Sequence, residues 1–186
     1  MPITITPEQL KLLNDYKDRS YIMNLLCSNS NEFFSFLSSI VKFPIIISSS
    51  VMSLLNSAND IDVSVMRYVN MSLNVSTALL LSLLSHFKIE AKMNNFKVMA
   101  TKFNKLNHTI ENLIVNELNE IDTDKIQSII NEYDQLCENL DEPFPHHIKK
   151  RLCTKYHGKK ILPTALSSEL CYISNRNSPT PSESDI

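Results

Sequence analysis

His146, His147, Cys153 and His157 are the residues whose types come nearest to metal chemistry, because imidazole nitrogens and thiolates are the usual zinc ligands. Their spacing argues against it. The first two histidines are adjacent, and no pair combines helical i, i+4 spacing with a usable carboxylate, so a surface position is the expectation. Cys27, Cys137, Cys153 and Cys171 stand far apart without a Cys-x-x-Cys pair and read as reduced thiols. His86 and His108 fall on helix faces and read as structural. Spacing yields neither a Ser-His-Asp nor a Cys-His arrangement, and no nucleophile is framed by glycines. The expectation is a non-enzymatic chain without metal or cofactor.

Charge set against lipid is the chemistry that the sequence does offer. Lys42 is the only formal charge between Phe33 and Leu55, and a lysine at the centre of a membrane helix costs about 2.5–3.5 kcal/mol unless snorkelling, a partner or a wet cavity relieves it. Ser35, Ser39, Lys42, Ser49, Ser53, Asn56 and Asp60 recur at steps of three, four or seven and form one polar stripe on a helix. Asn70, Asn74 and Thr77 form a shorter counterpart. Two readings fit: small-residue packing with Ser and Asn hydrogen bonds as glue, or an oligomer whose stripes line an aqueous path. A second charge cluster, Lys149, Lys150, Arg151, Lys155, Lys159 and Lys160, lies in a stretch with no acid. It suits an anionic membrane leaflet at about 1 kcal/mol per cation; phosphates of nucleic acid or plain solvation are the alternatives.

These residues need elements to hold them, and composition narrows which. Among 186 residues there is one glycine, Gly158, too few for glycine-rich phosphate loops or primed hairpin turns. An all-α chain is expected. With 18 basic and 20 acidic residues the net charge is −2, which argues against a general nucleic-acid binder. The first thirty residues are polar, so no cleavable signal peptide is expected there.

Two apolar runs dominate the middle. Phe43 to Asn59 is 17 residues without a charge, and Tyr68 to Phe87 is 20; about 20 helical residues cross the roughly 30 Å of a bilayer's hydrocarbon core. The expected element is a two-pass hairpin whose short connection carries Asp60 and Asp62. The same runs would also serve as the core of a soluble helical-bundle interaction module. After the second run, Lys88, Lys92, Lys97, Lys102 and Lys105 stand against Glu90, a bias that places that side, and both termini, in the cytoplasm. Asn70-Met71-Ser72, Asn74-Val75-Ser76 and Asn107-His108-Thr109 read as chance sequons. Pro44 marks a helix start or kink.

The expected organisation is an N-terminal amphipathic helix (1–32), the hairpin (33–88), a cytoplasmic helical region (89–138), a proline-containing basic distal region (139–173) and a disordered tail (174–186). Thr6-Pro7-Glu8-Gln9 offers an N-cap, a proline at the first helical position and a Gln at N3, with Leu10, Leu13, Tyr21 and Leu25 on the apolar face. Ile89, Phe96, Phe103 and Ile110 repeat every seven residues, with Met93, Ala100 and Ile114 on a second position that Asn107 interrupts. This coiled-coil-like helix is expected to continue the second membrane helix. Asp122 or Thr123 should cap a shorter helix with Ile126, Ile129, Ile130, Tyr133 and Leu136 on one face.

Several strings together resemble the SLATT superfamily, two-helix membrane proteins associated with nucleotide-sensing SLOG and nucleotide-synthesising SMODS modules. They are YKDRSY (Tyr16 to Tyr21), FPIIIS (Phe43 to Ser48), Asn104 to Leu113, and EYDQLCENLDEPFPHHIKK from Glu132. KYHGKKILP, ending at Pro163, resembles the end of versions encoded by large eukaryotic DNA viruses. The first run lacks the glycine often seen in such hairpins, and no nucleotide-sensor module stands within these 186 residues. The resemblance implies a self-associating membrane protein, either a pore-type effector fired by a sensor or a structural protein of a host or virion internal membrane. Its implied partners are the lipid bilayer and further copies of itself.

Overall fold

A computed structural model describes residues 6–56, 63–116 and 123–166. Five α-helices account for most of them: α1 (Pro7–Asn56), α2 (Val63–His86), α3 (Ile89–Asn116), α4 (Thr123–Glu138) and α5 (His146–Tyr156), followed by a 3-10 turn at Thr164–Leu166. No strand occurs among the described residues, so the chain is all-α. Asp60, Asp62, Cys171 and the 174–186 tail lie outside the described residues.

α1 opens as its sequence dictates. The Gln9 backbone N–H donates to Thr6 Oγ1 at 3.3 Å and the Thr6 N–H to Gln9 Oε1 at 3.0 Å, a reciprocal capping box with Pro7 at the first helical position. The helix then runs for 50 residues without interruption. The expected juxtamembrane helix and first membrane helix are therefore one element, and Pro44 neither starts nor ends a helix. A proline there removes the i→i−4 bond to the Ile40 carbonyl. At the next turn the Ser48 hydroxyl donates to the Pro44 carbonyl at 2.7 Å.

The expected continuity of α2 into α3 is also corrected. Lys88, at φ 49°, takes the left-handed conformation between them, with its N–H donated to the Ser85 carbonyl and its own carbonyl accepting from Lys92. One helix is closed and the next opened at a single residue. Gly158 (φ 73°) does the equivalent work after α5, where the Lys159 and Lys160 N–H groups return to the Tyr156 carbonyl.

The chain divides into two compact units, Met1–Ser30 with Phe96–Ile186, and Asn31–Asn95. The first has a core of the kind found in water-soluble bundles. Leu13, Ile22, Met23, Leu26 and Cys27 of α1 are buried, as are Phe96, Met99, Phe103, Leu106 and Ile110 of α3. The α3 spacing alternates three and four, the seam of one helix laid along others. α4 buries Ile126, Ile129, Tyr133 and Leu136, and α5 buries Ile148, Leu152 and Cys153.

The Asn31–Asn95 unit has the opposite character. Ser38, Met52, Leu84 and Ile89 are its buried side chains among the described residues. Beyond the half-buried 31, 33, 34 and 37 at its start, its less exposed positions on α1 are 38, 41, 45, 48, 52 and 55, and on α2 66, 70, 73, 77, 80 and 84. Both series step by three and four, so each helix gives one narrow seam to the other. Lys42 lines one cavity with Leu81, Leu84 and Ser85, which sets the start of the first apolar run beside the end of the second and makes the pair antiparallel.

Candidate functional site

The narrow seam leaves the rest of both apolar helices uncovered. Phe43 is 66% exposed, Leu54 74% and Tyr68 73%, and the exposed set continues through Phe36, Ile46, Met71 and Leu79. Among the described residues, all the exposed large apolar side chains except Leu12, Val98, Val115 and Ile161 fall in this unit. A contiguous apolar surface of this kind marks a membrane or protein contact. Both helices are long and apolar enough to cross a membrane.

The expected polar stripe lies one residue, or about 100° of helix rotation, away from the seam. Ser35, Ser39, Lys42, Ser49 and Ser53 are exposed, as is Asn74, whereas Asn70 lies half-buried on the seam. The α1 members thus share one outward strip of that helix rather than its seam with α2. Asn56 ends α1, and its side chain lies outside the description. The Ser39, Ser48, Ser49 and Ser50 hydroxyls donate to the carbonyls four residues back, at 2.7–2.9 Å. That satisfies each hydroxyl within its own helix, as the Thr101 and Thr109 hydroxyls also do in α3.

Lys42 donates to Glu90 Oε1, forming an ion pair at one end of the hairpin. Glu90 sits in the first turn of α3, where a carboxylate also complements the helix dipole. With Leu81, Leu84, Ser85, Lys88 and Ala91 these two residues line a cavity of about 430 Å³. Sequence reasoning found Lys42 but missed Lys88 and Glu90 as its neighbours. The available signal was that Lys42 and Lys88 are the charges bounding the two uncharged runs at ends that a hairpin brings together.

The basic distal region is split by the fold. Lys160 pairs with Asp18 and lies 4.7 Å from the centre of the Tyr21 ring, and Lys149 lines a cavity of about 400 Å³ with Met23, Cys137, Glu142 and Phe144. Lys150, Arg151, Lys155 and Lys159 remain exposed. Among the described residues no group of His, Cys, Asp and Glu is placed to hold a metal. His146, His147 and His157 are exposed, while Cys153 is fully buried.

Apart from FPIIIS, which belongs to the Asn31–Asn95 unit, the strings quoted for the family resemblance lie in the Met1–Ser30 and Phe96–Ile186 unit. Tyr16 stacks edge-on against Tyr133 with centroids 5.3 Å apart, and Tyr21 likewise against Tyr156 at 6.3 Å. The Arg19 guanidinium lies 5.3 Å from the Tyr16 ring centre. Lys17 reaches Glu111 at 3.2 Å, and Asn24 Nδ2 donates to Asn104 Oδ1 at 3.3 Å. The Lys17 hydrogen bond holds the Glu111 carboxyl below the usual range, and the bond with Tyr156 raises Tyr21. Burial pushes the Cys27 thiol up to about 12, with Cys137 nearby adding to it, and raises Cys137 and Tyr133 as well. These are inert structural thiols, since a raised pKa removes the nucleophilic thiolate.

Compared with protein-family models, with curated proteins and with solved structures, the chain gives no match.

Proposed function

We propose that this chain is a two-pass integral membrane protein whose Asn31–Asn95 hairpin inserts into a bilayer, with the helical unit of Met1–Ser30 and Phe96–Ile186 in water on the cytoplasmic side. The observation that carries this reading is the reversal of burial between the units: Phe96 and Phe103 are fully buried, while Phe43, Leu54 and Tyr68 are exposed. A hydrocarbon solvent favours such a surface and water does not. The lysines from Lys88 to Lys105 support a cytoplasmic location for both termini.

Its role is that of a self-associating membrane protein, a scaffold or a pore-type effector, in a host or virion internal membrane. Self-association is supported by the outward stripe of Ser35, Ser39, Ser49 and Ser53, since small residues let neighbouring membrane helices approach closely. The SLATT resemblance is what supports the effector role, and of the strings that carry it YKDRSY packs against those from Glu132 and Lys155 through Tyr16 with Tyr133 and Tyr21 with Tyr156.

Carbonate extraction of membranes from expressing cells, with protease added to sealed vesicles, tests the proposal. The expected result is retention in the pellet, with both terminal regions cleaved together or protected together. Release into the supernatant would overturn it and make the apolar faces an interface within a soluble helical assembly.

A further inference from the structure

We propose that the cavity at the base of the hairpin binds the phosphate headgroup of an anionic phospholipid, held by Lys88 and Lys42. The inference rests on the membrane reading above and adds a specific site to it. Lys42 is the last charge before the uncharged run from Phe43, and Lys88 the first after the run that ends at Phe87. Since both line the same cavity, it lies where the two uncharged helices meet their first charges, the depth of lipid headgroups.

The lining has two kinds of wall. Leu81, Leu84 and Ala91 are apolar, while Lys42, Lys88, Ser85 and Glu90 bring two cations, a hydroxyl and one carboxylate. The local charge is therefore +1. Glu90 takes one donor of the Lys42 ammonium, which has three. Among the described residues no side chain pairs with the Lys88 ammonium. Lys88 lines the cavity from the left-handed turn between α2 and α3. A phosphate oxygen accepts from Lys88 and from the remaining donors of Lys42, and the acyl chain follows Leu84 and Leu81 along α2. A soluble phosphate shares the polar half of this recognition and gains nothing from the apolar wall.

The test is electron paramagnetic resonance on the full chain in phosphatidylcholine bilayers carrying a trace of spin-labelled phosphatidic acid or spin-labelled phosphatidylcholine. The motionally restricted fraction of each label gives their relative association. Phosphatidic acid should be favoured by about fivefold, the factor that one cation at an anionic surface supplies. Lys88→Asn, which keeps a residue tolerant of the left-handed region, should bring the ratio close to one. Glu90→Gln should raise the ratio by freeing the Lys42 charge, and Lys102→Gln on the exposed face of α3 should leave it as it is. A wild-type ratio near one, or a ratio that neither Lys88→Asn nor Glu90→Gln changes, overturns the site. Loss of the preference on adding millimolar inorganic phosphate at constant ionic strength overturns the lipid as its occupant. Absence of any restricted component for either label instead overturns insertion of the hairpin.

Discussion

The Lys42 ammonium donates to a carboxylate oxygen of Glu90, a residue 48 positions further along the chain. A lone lysine in an apolar helix is a liability of a few kcal/mol, and here the partner arrives from the opening turn of α3. Lys42→Leu therefore removes one charge and uncovers another. Membrane insertion should stay intact or improve, by carbonate extraction. If assembled hairpins line an aqueous path, the unpaired Glu90 carboxylates should shift ion leakage of reconstituted vesicles toward cations. Leakage identical to wild type in amount and selectivity would count against a conducting role.

The two units should respond oppositely to the loss of a phenyl ring. Phe103 is fully buried beside Tyr133, with ring centroids 6.0 Å apart, so Phe103→Ala should destabilise its unit by about 3–5 kcal/mol. Phe43 touches little within the protein, and Phe43→Ala should leave stability in detergent within about 0.5 kcal/mol. Hydrogen exchange read over α3 and α4 checks the first, and denaturant titration the second. A loss at Phe43 as large as that at Phe103 would mean that the apolar surface is covered by protein.

Features encoded by local chemistry were legible in the sequence. Thr6 and Gln9 form the expected capping box, and the expected face of α4 is buried at Ile126, Ile129, Tyr133 and Leu136, with Ile130 half-buried. Features decided by competition between local and longer-range effects were not. Pro44 usually breaks a helix, yet α1 continues through it; Lys88 is not a glycine, yet it takes the left-handed turn. The polar residues on α1 suggested a helix contact, but the seam runs one residue away through Ser38, Ile45, Ser48 and Met52. Periodicity alone cannot choose between adjacent faces when serines occupy both. Lys149 and Lys160 looked equivalent to Lys150 and Arg151 until the fold brought Asp18 and Tyr21 to Lys160.

Alkaline pH should act on the Met1–Ser30 and Phe96–Ile186 unit through Cys27. Its thiol is raised to about 12 in the folded chain, chiefly by burial, against about 8.5 for an unfolded cysteine. The folded state thus retains a proton that the unfolded state loses. Stability from this group is fully present below about pH 8.5 and is lost progressively as pH rises toward 12. Peptide mapping after iodoacetamide treatment at neutral pH should find Cys27 unmodified in the native chain and modified in denaturant. Rapid native labelling of Cys27 would contradict its burial.

Lys88 serves two purposes that a substitution can separate. Its backbone at φ 49° is strained for a residue with a Cβ, and glycine adopts that conformation without the steric penalty. Lys88→Gly should therefore preserve the break between α2 and α3 and raise stability in detergent by up to about 1 kcal/mol. Lys88→Val should lower it, because a β-branched residue is poorly suited to the left-handed region. Both variants lack the ammonium and should lose the preference for phosphatidic acid to the same degree. Thermal unfolding in detergent, read beside the spin-label ratio, distinguishes the turn from the charge: stability should differ between the variants while lipid selectivity does not. Equal stability for Gly and Val would mean that the left-handed turn at residue 88 is not what joins these two helices.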